Sequence, residues 1–165
     1  MNKLTGQAFI EDMTPAEISR AEKVESVLPA LATQAAAVDE RGEFHVPHIK
    51  TLSDAGLLGL IVPESYGGLG GGLRDLCAAT FALATACPST ALTFFFHCSS
   101  ASRGLLALEA LEEGLFNDQE APAVRAFAEK VLNTMGTEGM WLANFASESV
   151  KSEKAAITIG TRAAP

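Results

Sequence analysis

Residues 76–102 contain no Asp, Glu, Lys or Arg. An uncharged stretch of that length leaves a chain two options: it crosses a membrane, or it forms helix buried on more than one side. Pro88 divides the stretch, and Thr, Ser, Cys and His97 are scattered through it. A spanning helix of about 20 residues tolerates few such interruptions. The reading is therefore two buried helices that meet at a turn near Pro88, with no membrane partner.

The rest of the chain supports a soluble, globular reading. Its 165 residues are 48% hydrophobic and 19% charged, enough to fold around a core of their own. The formal net charge is −8, with no Lys/Arg run, which excludes a nucleic-acid partner and gives little attraction to an anionic membrane face. Three cysteines, Cys77, Cys87 and Cys98, sit in apolar surroundings without C-x-x-C spacing. That pattern favours buried free thiols in a reducing, cytoplasmic compartment. Residues 1–13 read as a weakly structured leader, with no apolar signal-peptide core.

Helix punctuation is explicit over the first 137 residues. Thr14, Pro15 and Glu17 make a capping box with proline at the first helical position. Ile18, Ala21, Val24, Leu28, Leu31, Ala35 and Val38 then recur in steps of three and four as one apolar face. Pro29 falls inside this helix and predicts a kink. A second helix is expected over 47–55, with Ile49 and Leu52 inward and Gly56 as its stop. Residues 57–62 are apolar and expected to be buried, 63–72 form a loop, and a third helix covers 73–86. A fourth, capped by Ser89, runs over 90–111, its first half apolar all round and so expected to be covered on several sides. A fifth starts at Ala121 and Pro122, with Val124, Phe127, Val131, Leu132 and Met135 inward. After Gly139 the pattern shifts to short apolar runs at 140–145 and 155–159, read as strands flanking a polar loop at 147–154.

Candidate chemistry is sparse. The loop at 67–72 holds five glycines, but the two frames that begin G-x-G end at Leu73 or Asp75 instead of Gly, and no Lys-Ser/Thr follows. It reads as a connector. His45 and His48 flank Pro47 without a third ligand at a recognised spacing, and read as exposed residues at a helix start. His97, between Phe96 and Cys98, reads as a hydrogen-bonded core histidine. No G-x-S-x-G or H-E-x-x-H occurs.

Residues 47–72, PHIKTLSDAGLLGLIVPESYGGLGGG, carry the most specific signal. They resemble the segment between the second and third helices of acyl-CoA dehydrogenase-like flavoproteins, of the form L-x-x-A-G-L-x-G-L-x-V-P-E-x-Y-G-G-L-G. The helix order and the Pro88-Ser89 turn extend that resemblance from about Thr14 to Glu148. It implies a mainly α fold: the N-terminal orthogonal helical bundle of such a protein over 1–137, followed over 138–165 by the truncated first strands of a β-barrel middle domain. In that family a strand ending in Thr/Ser-Glu opens the barrel and touches the flavin ring. The matching stretch here is Ala143-Asn144-Phe145-Ala146-Ser147-Glu148. The resemblance thus makes Ser147, Ala146 and Asn144 the candidate FAD contacts. Where the family continues with Pro and then Gly-Ser-Asp, this chain has Ser149-Val150-Lys151-Ser152-Glu153.

By resemblance the function is the N-terminal part of an FAD-dependent oxidoreductase that dehydrogenates acyl thioesters at the α and β carbons. The family's Glu base comes from a C-terminal domain, so no catalytic residue is assigned here, and the chain by itself reads as incomplete and inactive. Two other readings stand beside it: a flavin-dependent monooxygenase of the same fold acting on aromatic or sulfur compounds, and a non-catalytic helical interaction module. The implied partners are an acyl-CoA or aromatic small molecule in the complete enzyme, and a second copy, as dimer or tetramer, or the missing domains.

Overall fold

The structure is a computed structural model that describes residues 12–42, 44–142, 148–151 and 157–160. Among these residues five helices follow in order: α1 (Pro15–Arg41), α2 (Val46–Asp54), α3 (Leu73–Ala86), α4 (Pro88–Glu112) and α5 (Ala121–Met135). Two 3-10 turns, Leu57–Gly59 and Glu64–Tyr66, lie between α2 and α3.

The start of α1 follows from its first four residues. The Thr14 hydroxyl accepts the Glu17 amide at 3.3 Å, and the Glu17 carboxylate accepts the Thr14 amide at 2.7 Å. Two amides that a helix start leaves unpaired are satisfied reciprocally. The helix ends at Gly42, whose φ of 60° is left-handed. It stays continuous through Pro29, which faces solvent, where water can take the carbonyl that proline leaves without a donor. Val24, Val27, Leu31 and Val38 form its buried face, whereas Ile18 is exposed.

α1 packs on α3, and α4 packs on both α3 and α5. Leu31, Leu52, Leu57, Leu83, Phe94, Leu132 and Met135 are fully enclosed in the core they share. The 57–62 run is buried throughout, as its composition predicts. At the α4–α5 crossing a side chain on Gly104 would meet Leu132 at 3.0 Å, so glycine sets how closely these helices approach. An Arg20 guanidinium fork holds both Asp75 carboxylate oxygens, at 2.7 and 3.2 Å, and joins α1 to the first turn of α3.

Three helix expectations need correction. Cys87, not Ser89, flanks the start of α4, because Pro88 takes the first helical position, where its missing N–H costs nothing. The outer face of α4 is not covered: Leu92, Phe96 and Leu106 are 58%, 46% and 63% exposed. Phe127 of α5 is also exposed, and the inner face there is Ala128, Leu132 and Met135.

The expected entry into a β-barrel is overturned. Residues 140–142 form no strand. Among the described residues the only β structure is one antiparallel pair, β1 (Glu148–Lys151) and β2 (Ile157–Gly160), in register Glu148↔Gly160. β1 falls where a loop was expected. Two four-residue strands joined along one edge cannot close, since a barrel needs a continuous ring of tilted strands. The fold of the described residues is an all-α helical bundle, and their one β pair does not make a barrel domain.

Candidate functional site

The described residues converge where the chain leaves α5. Gly136 ends that helix, and a side chain there would run into the Tyr66 carbonyl oxygen. The Thr137 hydroxyl donates to that same carbonyl at 3.1 Å. Ser53 of α2 donates to the Gly139 carbonyl at 3.0 Å. Two separate parts of the bundle, His97 of α4 and Phe44 before α2, then grip Trp141 and Leu142. Trp141 stacks on the His97 ring, with centroids 4.4 Å apart and planes 17° from parallel, and Phe44 packs on Trp141 at 5.7 Å. The Leu142 amide donates to His97 Nδ1 at 3.0 Å.

His97 is fully buried on α4, as its apolar neighbours suggest. Its Nε2 meets the Leu58 carbonyl at 2.8 Å. A carbonyl only accepts and an amide only donates, so the ring is the neutral Nε2–H tautomer. Burial pushes its pKa below the usual 6.5, and the two backbone hydrogen bonds only partly oppose that.

His48 corrects the expectation of an exposed pair. Only His45 is half-open; its Nε2 lies 2.6 Å from Gln34 Oε1. His48 is buried between α2 and α4, with Nδ1 2.7 Å from the Thr90 hydroxyl, which reaches Cys87 Sγ at 3.2 Å. Its Nε2 has no hydrogen-bond partner among the described residues. Burial lowers its pKa, and nearby His45 lowers it further. Of the thiols, Cys77 is exposed, against expectation, while Cys87 and Cys98 are buried. Burial raises Cys98 to about 12, which makes it an inert packing group.

The glycine loop is a connector, and its hydrogen bonds show why it holds no phosphate. The amides of residues 67–71 donate to the carbonyls of Glu64, Pro63, Gly59, Val62 and Leu60, and the Gly72 amide donates to Asp75. Six successive donors point into the protein itself. A side chain on Gly68 would collide with the Val62 carbonyl, so close approach, not ligand binding, demands glycine there. A cavity of about 260 Å³ opens between α1 and α3, lined by apolar residues such as Val24, Ala79 and Phe81, with the Arg20–Asp75 pair in its wall. It shares no residue with the junction at 137–142.

Asn144, Ala146 and Ser147, the candidate flavin contacts, lie outside the described residues. The chain is brought to them by the junction just described. Sequence reading missed the role of Trp141; its only signal was an isolated Trp in an apolar run next to the candidate segment.

Residues 18–113, more than half of the chain, match the acyl-CoA dehydrogenase N-terminal domain family. The chain belongs to this family, the helical domain of FAD-dependent acyl-CoA dehydrogenase-like oxidoreductases. Among individual proteins it is 35% identical to an L-evernosamine nitrososynthase from Micromonospora sp., over 82% of this chain and 31% of that protein. It is 29% identical to the oxygenase component of a p-hydroxyphenylacetate 3-hydroxylase from Acinetobacter baumannii, over 67% of the chain and 26% of that protein. A probable acyl-CoA dehydrogenase, YngJ, from Bacillus subtilis is 38% identical, over 39% of the chain and 17% of its own length. The chain thus spans about a third or less of these relatives. Among the described residues no helix is long and apolar enough to cross a membrane.

Proposed function

We propose that the chain is the helical domain of a flavin-dependent monooxygenase of the acyl-CoA dehydrogenase-like fold, acting on an aromatic small molecule. The observation that carries this reading over acyl-thioester dehydrogenation is the extent of the likenesses. Those to the nitrososynthase and the hydroxylase cover 82% and 67% of the chain, and that to the probable dehydrogenase covers 39%. The aromatic substrate class comes from the hydroxylase.

The described residues contain no cradle for the flavin. The glycine amides are spent, and the Arg20 guanidinium is engaged by Asp75 and the Leu69 carbonyl. In this reading the bundle walls the site, and Asn144, Ala146 and Ser147 supply the ring contacts. When bound, reduced flavin supplies the two electrons that let one atom of O2 enter the substrate while the other leaves as water. The part of the helical domain is to fix the segment that meets it.

The test has two arms. The purified chain is titrated with oxidised and reduced flavin and followed by flavin fluorescence. The domain joined to the remaining domains of such an enzyme is then supplied with reduced flavin and O2 with p-hydroxyphenylacetate, or with an electron acceptor and an acyl-CoA. Flavin binding with oxygen incorporated into the aromatic compound is expected. An α,β-unsaturated acyl product would return the dehydrogenase reading, and no flavin binding at high micromolar concentration would favour a non-catalytic helical module.

A further inference from the structure

The junction at 137–142 is held in two different ways. Up to Gly139 the contacts use hydroxyls and carbonyls, Thr137 to Tyr66 and Ser53 to Gly139, which do not titrate. Met140 is still held by backbone, its amide donating to the Thr134 carbonyl at 3.0 Å. Beyond it Phe44 packs on Trp141, and the hydrogen bond to the helical body is made through one imidazole. His97 accepts the Leu142 amide on Nδ1 and presents its face to Trp141. We infer that His97 is a clasp that closes only in its neutral form, and that it sets where residues 141–142 lie against the helical body.

The reason is a mismatch of donors. A protonated imidazole carries N–H on both nitrogens. The Nε2–H could still serve the Leu58 carbonyl, so the ring's hold on its own core would survive. At Nδ1, however, an N–H would point at the Leu142 N–H, and the acceptor would be gone. The hydrogen bond is lost, and a half-buried amide is left facing a cation. The groups around the ring do not offset this. They are the Leu58 carbonyl from the 3-10 turn, the Leu142 amide and Trp141 indole from the junction, and on α4 itself the Cys98 thiol, raised to about 12. None of them titrates between pH 5 and 8. The lowered pKa of the ring agrees with this geometry and places the opening below 6.5.

The clasp stands whether or not a flavin binds, and it is tested without one. Trp141 is the single tryptophan of the chain, so its emission reports the junction directly. Emission and far-UV circular dichroism are followed together from pH 8 to 4.5 in the native chain and in His97→Asn, whose amide oxygen keeps an acceptor near the Nδ1 position and never protonates. In the native chain a red shift with a midpoint below pH 6.5 is expected, with helicity unchanged. In His97→Asn that step should vanish. The inference is overturned if native emission stays flat while the helices persist, if helicity falls in step with emission, or if His97→Asn keeps the step. Should His97→Asn not fold, Leu142→Pro removes the donor instead. Its emission should be red-shifted already at pH 8 without a further step, and a native-like step in that variant would equally sink the clasp.

Discussion

Two buried histidines on facing sides of α4 contacts behave differently. His97, at the junction, has both nitrogens committed to backbone groups of other segments. His48, in the α2–α4 contact, has one nitrogen on the Thr90 hydroxyl and one without a hydrogen-bond partner among the described residues. Both are shifted below the usual histidine value by burial. The difference lies in what each holds. His48 is tied to side chains inside the bundle, so its state is coupled to the packing of two helices. His97 ties a chain segment to the outside of the bundle, so its state governs where that segment lies. A buried imidazole can thus be a packing group or a fastener, and its partners decide which.

The largest expected effect tests whether the junction is as rigid as its contacts imply. Gly136→Ala places a methyl group against the Tyr66 backbone carbonyl, and neither backbone has a side chain that can yield. A loss of about 3 kcal/mol is expected in urea denaturation, at the upper end of overpacking costs. A loss under about 1 kcal/mol would mean the junction gives way and is not a fixed platform. The α2–α4 contact should be softer. Thr90→Val keeps shape but leaves His48 Nδ1 without its hydroxyl, for an expected cost of about 2 kcal/mol. Equal losses at both places would erase the contrast.

Acid should separate the two regions further. His48 is held below 6.5 in the folded chain, so as pH falls the unfolded chain takes up the proton first. Its contribution is complete above about pH 6.5 and declines as the pH falls from there towards the folded-state value. Urea midpoints of the native chain should therefore drop between pH 7 and 5. His48→Gln should flatten part of that slope, and an unchanged slope would show that His48 is not coupled to global folding. The smallest effect concerns the segment beyond the junction. Ser147→Ala should weaken flavin binding by about tenfold, roughly 1.4 kcal/mol, the upper range of one hydrogen bond. It should leave the urea midpoint unchanged, and unaltered flavin affinity would remove Ser147 as a ring contact.

Much of the bundle was legible because its signals are local. The Thr14–Glu17 capping box and the Leu73 to Ala86 span of α3 are set by residues within a few positions of one another. The α4 start was misplaced by a residue or two, because Ser89 is a good cap in isolation and the competing claim of Pro88 prevails. Burial was harder to read. Phe127 fits a helical stripe, yet the close α4–α5 crossing at Gly104 selects Ala128 and Leu132 as its inner residues. The expected strand at 140–145 failed over its first three residues for a related reason. Trp141 and Leu142 have the right propensity, but His97 and Phe44 offer partners that a strand neighbour does not.

By itself the sequence determined where the helices lie to within a residue or two, that residues 57–62 are buried, and that the glycine loop is no nucleotide fingerprint, since each depends on spacing along the chain. Only the tertiary structure decided the rest. Residues 97 and 142 are 45 positions apart, and neither carries a local mark of the other. Hydrogen bonds between distant segments depend on how the helices pack, and that packing turned His97 from one more core residue into the group that holds the chain's exit.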